Sequence, residues 1–400
     1  MIARIFVYLL LMIVLPCLYV DLRYLRRKRF GRVWVRMLWW LPGFCMTVFT
    51  VVLAMHPDFA PADTTALNFY LFLLGLLVVP NFVFALCSVV GLALKKWLHM
   101  RRNYGNHVGL AMVAVHWYVL IYGSTIGFNE IVVKQIDYAS ADLPAAFDGY
   151  RIRRSLGGYR IVQFSDAHVG TYSSDRDYLL DAAVDSINAQ HADMIVFTGD
   201  LQNMRPVEVE RHVRTLSSLH APDGVFSVLG NHDYADYLHA DTATKAANCR
   251  RMVDLQRQMG WTLLRNEHRV VRRGGDSIIV AGMENDGISK RSPERGDVGK
   301  TLSGTSPRDF VLMLQHDPSC WRRKILPQCN AQLTLSGHTH GMQFELFGWS
   351  PIAFKYSEWG GLYREGPRAI FVSTGLGGFL PFRFGVPGEV VVITLHRKKA

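Results

Sequence analysis

Four hundred residues, half of them hydrophobic and only 19% charged, are too apolar for a disordered chain and long enough for two or three domains. The formal charge of +11 would ordinarily suggest a nucleic-acid partner. Its distribution argues otherwise: residues 1–128 hold twelve Lys or Arg against three Asp or Glu, and residues 129–400 are left with a surplus of only two. No nucleic acid is expected as a partner.

Four apolar runs precede residue 129: Ile5 to Val20, Val33 to Met55, Leu67 to Leu94 and Val108 to Phe128. Each approaches the ~20 residues with which a helix crosses the hydrocarbon layer. A signal peptide is the rival reading of the first, but its basic block follows the apolar run and no small-residue cleavage motif stands out, so a retained span is expected. Pro80 predicts a kink or tilt in the third. Arg36, near the start of the second, could snorkel to the interface.

Between spans one and two stand Arg23, Arg26, Arg27, Lys28, Arg29 and Arg32, and between three and four stand Lys95, Lys96, Arg101 and Arg102. His56 to Ala66, between two and three, has neither Lys nor Arg. Positive loops stay in the cytoplasm, so the N-terminus and everything after span four are expected outside it. The basic runs are therefore orientation signals, compatible with contact to anionic lipid. The cysteines show no zinc-ribbon spacing, and Cys320 with Cys329 is the pair that could bridge in an oxidising compartment.

From Asn129 onward, short β-branched runs alternate with helical patterns. Tyr159 to Phe164 closes on Ser165-Asp166, and Tyr178 to Gln190 has helical spacing. Met194 to Thr198 closes on Gly199-Asp200, and Pro206 to Leu219 reads as a helix with Pro in its first turn. Val225 to Leu229 closes on Gly230-Asn231-His232-Asp233, and Asp241 to Met259 is helical. Val270 and Ser277 to Ala281 suggest a hairpin around Gly274-Gly275. Phe310 to Leu314 leads into Gln315-His316, and Gln332 to Leu335 into Gly337-His338-Thr339-His340. Late strands are expected at Ala369 to Ser373 and Glu389 to Leu395.

Five strands thus end in polar clusters, and the carboxyl ends of strands in an open α/β sheet are where ligands bind. The clusters offer Asp166, His168, Asp200, Asn231, His316, His338 and His340, with His232 and Asp233 between them. Carboxylate oxygen and imidazole nitrogen without thiolate suit Mn, Fe or Zn in a catalytic setting. Seven ligands exceed the need of one ion. Two ions about 3.5 to 4 Å apart, sharing one carboxylate, would use them all and would clamp both oxygens of an in-line displacement at phosphorus. Asp-x-His and Gly-Asp are weak signals alone, whereas Gly-Asn-His-Asp and Gly-His-Thr-His each arise by chance roughly once in several hundred chains of this length.

This ordered series resembles the calcineurin-like metallophosphoesterase superfamily. Gly341-Met342-Gln343, where the family usually has Gly-Gly-Gln, and Ser373-Thr374-Gly375-Leu376-Gly377 resemble its bacterial membrane-attached branch. The resemblance covers roughly residues 130 to 396 and implies a four-layer α/β/β/α sandwich, here preceded by a helical transmembrane region. The expected domains are 1–128, a membrane region of about four helices, and 129–400, the phosphoesterase. By motif position the resemblance places Asp166, His168 and His340 on one metal, Asp200 between the two, and Asn231, His316 and His338 on the other. It implies attack by a metal-bound hydroxide, with His232 stabilising developing charge or protonating the leaving oxygen and Asp233 orienting the His232 ring; packing for His232 and helix capping for Asp233 are the plainer alternatives.

The expected activity is that of a membrane-anchored, dimetal phosphodiesterase or pyrophosphatase acting on a lipid-linked or envelope phosphoester outside the cytoplasm of a bacterial inner or plasma membrane. A non-catalytic sensor or scaffold with a metal-binding module is the alternative, although no ligand and no His232 is missing. Phe344, Phe347, Trp349, Phe354 and Trp359, followed by Phe379, Leu380, Pro381, Phe382 and Phe384, read either as sheet packing or as an apolar rim facing the bilayer. Arg383 within that stretch is a candidate for meeting a phosphate or headgroup.

Overall fold

The computed structural model describes residues 2–26, 33–56, 63–148, 158–172, 176–289 and 292–398. It divides into two compact units, Met1–Ile126 and Gly127–Ala400. Arg27, Lys28, Arg29 and Arg32 of the first basic loop, and 57–62 of the Lys-free loop, lie outside the described residues.

The first unit is helical: α1 Phe6–Val20, α2 Val33–Ala54, α3 Thr65–Leu73, α4 Val79–Trp97 and α5 Gly105–Thr125. With their flanking turns they form four stretches long and apolar enough to cross a membrane, Ile2–Leu25, Val33–Ala54, Thr65–Trp97 and Gly105–Asn129. Pro80 coincides with a local change of helix type. It lacks an N–H and its ring would collide with the helical carbonyl of Leu76. The chain widens there into a π-turn, Leu74–Val78. The carbonyls of Gly75 and Leu76 accept from His116 Nε2 at 2.8 Å and Trp117 Nε1 at 2.9 Å, both on α5, which satisfies them where no water is at hand.

Arg36 is paired with an acidic residue. Its guanidinium forks onto Asp21, Nε to Oδ1 at 2.7 Å and a terminal nitrogen to Oδ2 at 2.9 Å, and Trp40 Nε1 adds a donor to Asp21 at 3.3 Å. Charged residues in apolar helices are stabilised by such a counter-charge on the neighbouring helix. A polar cluster of Tyr19, Tyr24, Ser88 and Asn106, with contacts of 2.7 to 2.8 Å, ties the end of α1 to α4 and α5. Helices α4 and α5 approach through glycines: a Cβ on Gly105 would stand 2.1 Å from the Cys87 carbonyl oxygen.

The second unit holds β1 Ile131–Ser140, β2 Tyr159–Phe164, α6 Asp177–Asn188, β3 Met194–Phe197, α7 Val207–Glu210, α8 Val213–Leu216, β4 Val225–Ser227 and α9 Thr242–Gln258. After these come β5 Thr262–Leu263, β6 Glu267–Arg273, β7 Asp276–Gly282, β8 Val311–Leu314, β9 Leu333–Ser336, β10 Gly361–Glu365, β11 Arg368–Val372 and β12 Gly388–Arg397. The strands form two mixed sheets, ordered β1-β12-β2-β3-β4-β5 and β10-β11-β9-β8-β7-β6. Alternation along the short central strands serves two layers at once. Met194 and Val196 of β3 and Leu312 and Leu314 of β8 meet in the core between the sheets. Ile195 and Phe197 pack outward under α6 and α9 with Leu180, Val184 and Met252, while Val311 and Met313 pack outward against Trp321 and Ile325. Four layers, α/β/β/α, result.

All five strands expected to end in polar clusters are present, as β2, β3, β4, β8 and β9. The helix expected over Pro206 to Leu219 is interrupted at His212 (φ −102°, ψ 0°), a turn that tucks its ring into the protein at 4% exposure. Cys320 and Cys329 are unbridged. The packing of α4 on α5 predicts that Gly105→Val destabilises detergent-solubilised protein by about 1 to 3 kcal/mol through overpacking, read as a lower thermal unfolding temperature. Leu110→Ala, on the outward side of α5 at 59% exposure, should leave it unchanged.

Candidate metal centre

The carboxyl ends of β2, β3, β4, β8 and β9 turn sharply into the residues singled out above. Asp166, His168, Asp200, His338 and His340 all adopt left-handed backbone, with φ between 45° and 75°, an uncommon state for such side chains that costs roughly 1 to 3 kcal/mol each. Two glycines make room for the carboxylates. A Cβ on Gly230 would stand 2.2 Å from Asp200 Oδ1, and one on Gly337 2.2 Å from Asp166 Oδ2.

The predicted ligands converge. Asp166, His168 and His340 form one group, and Asp200, His316 and His338 another, each with ligand atoms within 4.8 Å of one another. Asp200 Oδ2 faces both groups, 3.7 Å from His168 Nε2 and 3.2 Å from His316 Nε2. Its partner oxygen Oδ1 accepts the His232 backbone N–H at 2.8 Å, which leaves Oδ2 to be shared. Asn231 joins the second group, its Oδ1 3.2 Å from His316 Nε2 and its amide donating to the Tyr237 hydroxyl at 2.8 Å. His232 lies beside His168 and Asp200, forming a third grouping with them.

Hydrogen bonds to acceptors fix which imidazole nitrogen faces inward. His168 Nδ1 donates to Asn203 Oδ1 at 2.9 Å, and His316 Nδ1 to the Thr198 carbonyl at 2.7 Å. His338 Nε2 is turned to the Tyr356 hydroxyl at 2.8 Å, with Asp317 at 3.4 Å. His232 Nδ1 donates to the Asn203 carbonyl at 2.6 Å. Second nitrogens held in this way orient metal-binding histidines. His316 Nε2 then faces three lone-pair atoms, Asp200 Oδ2, Asn231 Oδ1 and, at 3.3 Å, His338 Nδ1. One proton there satisfies a single acceptor; a divalent ion satisfies all four donor atoms. His340 Nδ1, buried without a hydrogen-bond partner, is a further orphan on the other side. The donor set therefore fits two ions.

Asp233 does not orient the His232 ring. Its carboxylate accepts backbone N–H groups from Asp200 at 3.0 Å, Leu201 at 3.0 Å, Gln202 at 3.3 Å and Gly230 at 2.9 Å, clamping the turn that carries Asp200. The His232 ring is instead set by Asn203 and by stacking on Tyr237, 4.1 Å between centroids at 13°. Asn203, which orders two histidines at once, was missed in the sequence, as were Tyr356 and Asp317. The one available cue to Asn203 is its place three residues after Asp200. Arg383 is not available to a phosphate. It is fully buried and donates to the carbonyls of Thr374, Gly375, Gly377, Val386 and Pro387, ordering a turn whose Gly377 N–H reaches the Asp166 carbonyl at 3.0 Å.

Burial pushes the Asp200 carboxyl up, but the imidazoles of His316, His232 and His168 outweigh this and hold it well below the usual carboxylate range. Burial likewise disfavours charge on His316, yet the Asp200 and Asp166 carboxylates push it up to about 10. Burial raises Asp166 to about 7, against the attraction of His316, and lowers His168 to about 3, helped by His232. Metal ligands must be deprotonated. His316 holds a proton below about pH 10 and Asp166 below about pH 7. Ion uptake should therefore release about one proton at pH 8 and closer to two below pH 7, with apparent affinity falling as pH falls. Calorimetry in buffers of different ionisation heat measures this, and uptake without proton release would contradict it.

Residues 3–128 match the family model described as probable calcineurin-like phosphoesterase, transmembrane domain, and residues 159–342 match that described as calcineurin-like phosphoesterase. The sequence is 34% identical over 254 residues to the uncharacterized metallophosphoesterase YkuE of Bacillus subtilis, covering 61% of this chain and 81% of that protein. It is 29% identical over 256 residues to a transmembrane protein with metallophosphoesterase domain of Danio rerio, covering 62% of this chain and 55% of that one. Identity is also 29% over 290 residues with the UDP-2,3-diacylglucosamine pyrophosphatase LpxG of Chlamydia trachomatis, covering 60% and 84%.

Proposed function

The chain belongs to the calcineurin-like metallophosphoesterases, metal-dependent phosphoesterases, here with a membrane-spanning N-terminal region, and from that premise we propose a dimetal phosphodiesterase or pyrophosphatase acting on a lipid-linked phosphoester. Residues 1–128 form its membrane domain and 129–400 its catalytic domain. Asp166, His168, His340 and Asp200 would hold one ion, and Asp200, Asn231, His316 and His338 would hold the second. The observation that carries this reading is Asp200 Oδ2, which faces both sets of imidazoles.

When bound, the two ions lower the pKa of the attacking water and screen the charge on the phosphoryl oxygens. The chain's own residues do the rest. His232, with Nδ1–H committed to the Asn203 carbonyl, acts as the imidazolium, whose Nε2–H faces the substrate and passes its proton to the leaving oxygen, leaving the ring neutral. Tyr237 keeps its ring plane fixed. Asp233 holds the Asp200 turn in place through four backbone N–H groups.

A lipid-linked substrate is supported by the four spans and by the relative named as a diacylglucosamine pyrophosphatase. The basic loop with Lys95, Lys96, Arg101 and Arg102 supports a catalytic domain outside the cytoplasm. Full-length protein stripped of metal and reloaded with Mn or Zn should hydrolyse bis-p-nitrophenyl phosphate. Asp200→Ala should abolish that turnover and the binding of both ions, whereas His232→Asn should keep the ions and lose about a hundredfold or more in kcat. Turnover indifferent to metal or to Asp200→Ala would refute the reading. Orientation is read separately: alkaline phosphatase fused after Phe128 should be active and a cytoplasmic reporter there silent, and the reverse pattern would overturn the assignment.

A further inference from the structure

The segment that follows His340 exposes apolar side chains. Phe347 is 98% exposed and Phe354 88%, and Met342, Trp349 and Leu346 are about half exposed. Between His340 and Tyr356 the only charged residues are Glu345 and Lys355. The other half of the aromatic stretch behaves differently: Phe379, Leu380, Phe382 and Phe384 are half-buried, and Phe344 stacks on Phe384 at 5.7 Å.

The exposed part is a rigid spike. Leu346 and Trp349 exchange backbone hydrogen bonds at 2.9 and 3.1 Å, leaving Phe347 (φ 53°) and Gly348 (φ 78°) as a two-residue hairpin tip. Two positive φ angles define the turn type that Asn-Gly makes readily. Here the first position is a phenylalanine, held in a backbone state unfavourable to it and pointed into solvent. Met342 repeats the pattern, left-handed at φ 54° and exposed. The base is fixed: Glu345 N–H donates to the Phe384 carbonyl at 2.8 Å, Phe384 N–H to the Gln343 carbonyl at 2.9 Å, and the buried Ser350 hydroxyl to the Gly341 carbonyl at 2.6 Å. The loop that Phe384 belongs to, paired with this base, also reaches the site, with the Phe379 ring 6.1 Å from that of His232.

We propose that the Leu346–Trp349 hairpin inserts Phe347, together with Phe354, whose ring lies 5.5 Å from that of Trp349, into the bilayer in which this chain's own helices sit, so that a lipid phosphoester meets the centre without leaving the membrane. The chain itself supplies the occupant: β1 begins six residues after α5 ends, a tether too short to carry the catalytic unit far from the bilayer. A convex tip bearing one phenylalanine suits penetration of a fluid layer, whereas a stable protein interface needs roughly 800 Å² of fitted surface from each side. Trp349, which closes the hairpin, and Lys355, next in sequence to Phe354, are residue types that settle at headgroup level.

The test uses full-length protein in nanodiscs of phosphatidylethanolamine and phosphatidylglycerol, with p-benzoylphenylalanine encoded at 347 or 354. Leu110 serves as a lipid-facing control position and Val207, exposed on α7, as a solvent-facing one. Irradiation should yield lipid adducts at 347, 354 and 110 and none above background at 207. No lipid adduct at 347, or adducts only to a second copy of the chain, would overturn the insertion. Its consequence for substrate rests on the phosphohydrolase reading and is read separately. Phe347→Ser should leave bis-p-nitrophenyl phosphate turnover unchanged and lower kcat/KM by about tenfold or more on a dioleoyl lipid bearing a p-nitrophenyl phosphodiester headgroup. Equal effects on both substrates would overturn the delivery role. A wild-type chain that hydrolyses neither defeats the proposed activity, while the adducts still decide insertion.

Discussion

One carboxylate oxygen organises the catalytic unit. Asp200 is almost fully buried and its Oδ2 stands between two groups of imidazoles contributed by both sheets. A buried negative charge survives only where cations or donors surround it. The surrounding structure meets that condition in stages. Asp233 fixes the backbone of the Asp200 turn, the His232 N–H occupies Oδ1, and the missing Cβ of Gly230 lets the carboxylate approach. What remains open is the single direction in which an ion would serve every donor.

That arrangement explains why the strain sits where it does. Side chains from five strand ends can point at one small volume only if the chain reverses abruptly, and five of the seven proposed ligands lie in left-handed backbone. The stabilisation comes from the three apolar layers behind them. The central strands are covered on both faces, so the turns at their ends are held against relaxation.

Much of this was legible in the sequence because strand and ligand share a boundary. An apolar run closing on a polar cluster that contains Asp, Asn or His marks both at once, and the five runs so marked became β2, β3, β4, β8 and β9. Edge strands carried no such mark. β1 mixes Lys134, Gln135 and Asp137 among its apolar residues and pairs only with β12, and β10 is likewise an edge. The partners that orient the histidines were hidden for another reason. Asn203 meets His168 across 35 positions, and Tyr356 meets His338 in a loop without periodicity. Asp233 was assigned to its sequence neighbour, His232, when its charge serves a turn thirty residues away. Arg383, read as a surface cation, is an internal one whose partners are carbonyls.

The membrane region and the catalytic unit answer to one solvent problem in different ways. In the helices, a proline's displaced carbonyls and the Asp21 carboxylate find partners within the bundle; in the catalytic unit, Asp200 and its imidazoles gather around places for cations. Anomalous diffraction at the manganese edge from crystals of the manganese-loaded full-length protein tests the central claim most directly. The account predicts two peaks flanking Asp200 Oδ2, one ligated by Asp166, His168 and His340 and the other by Asn231, His316 and His338. A single peak, or a peak ligated by His232, would contradict it.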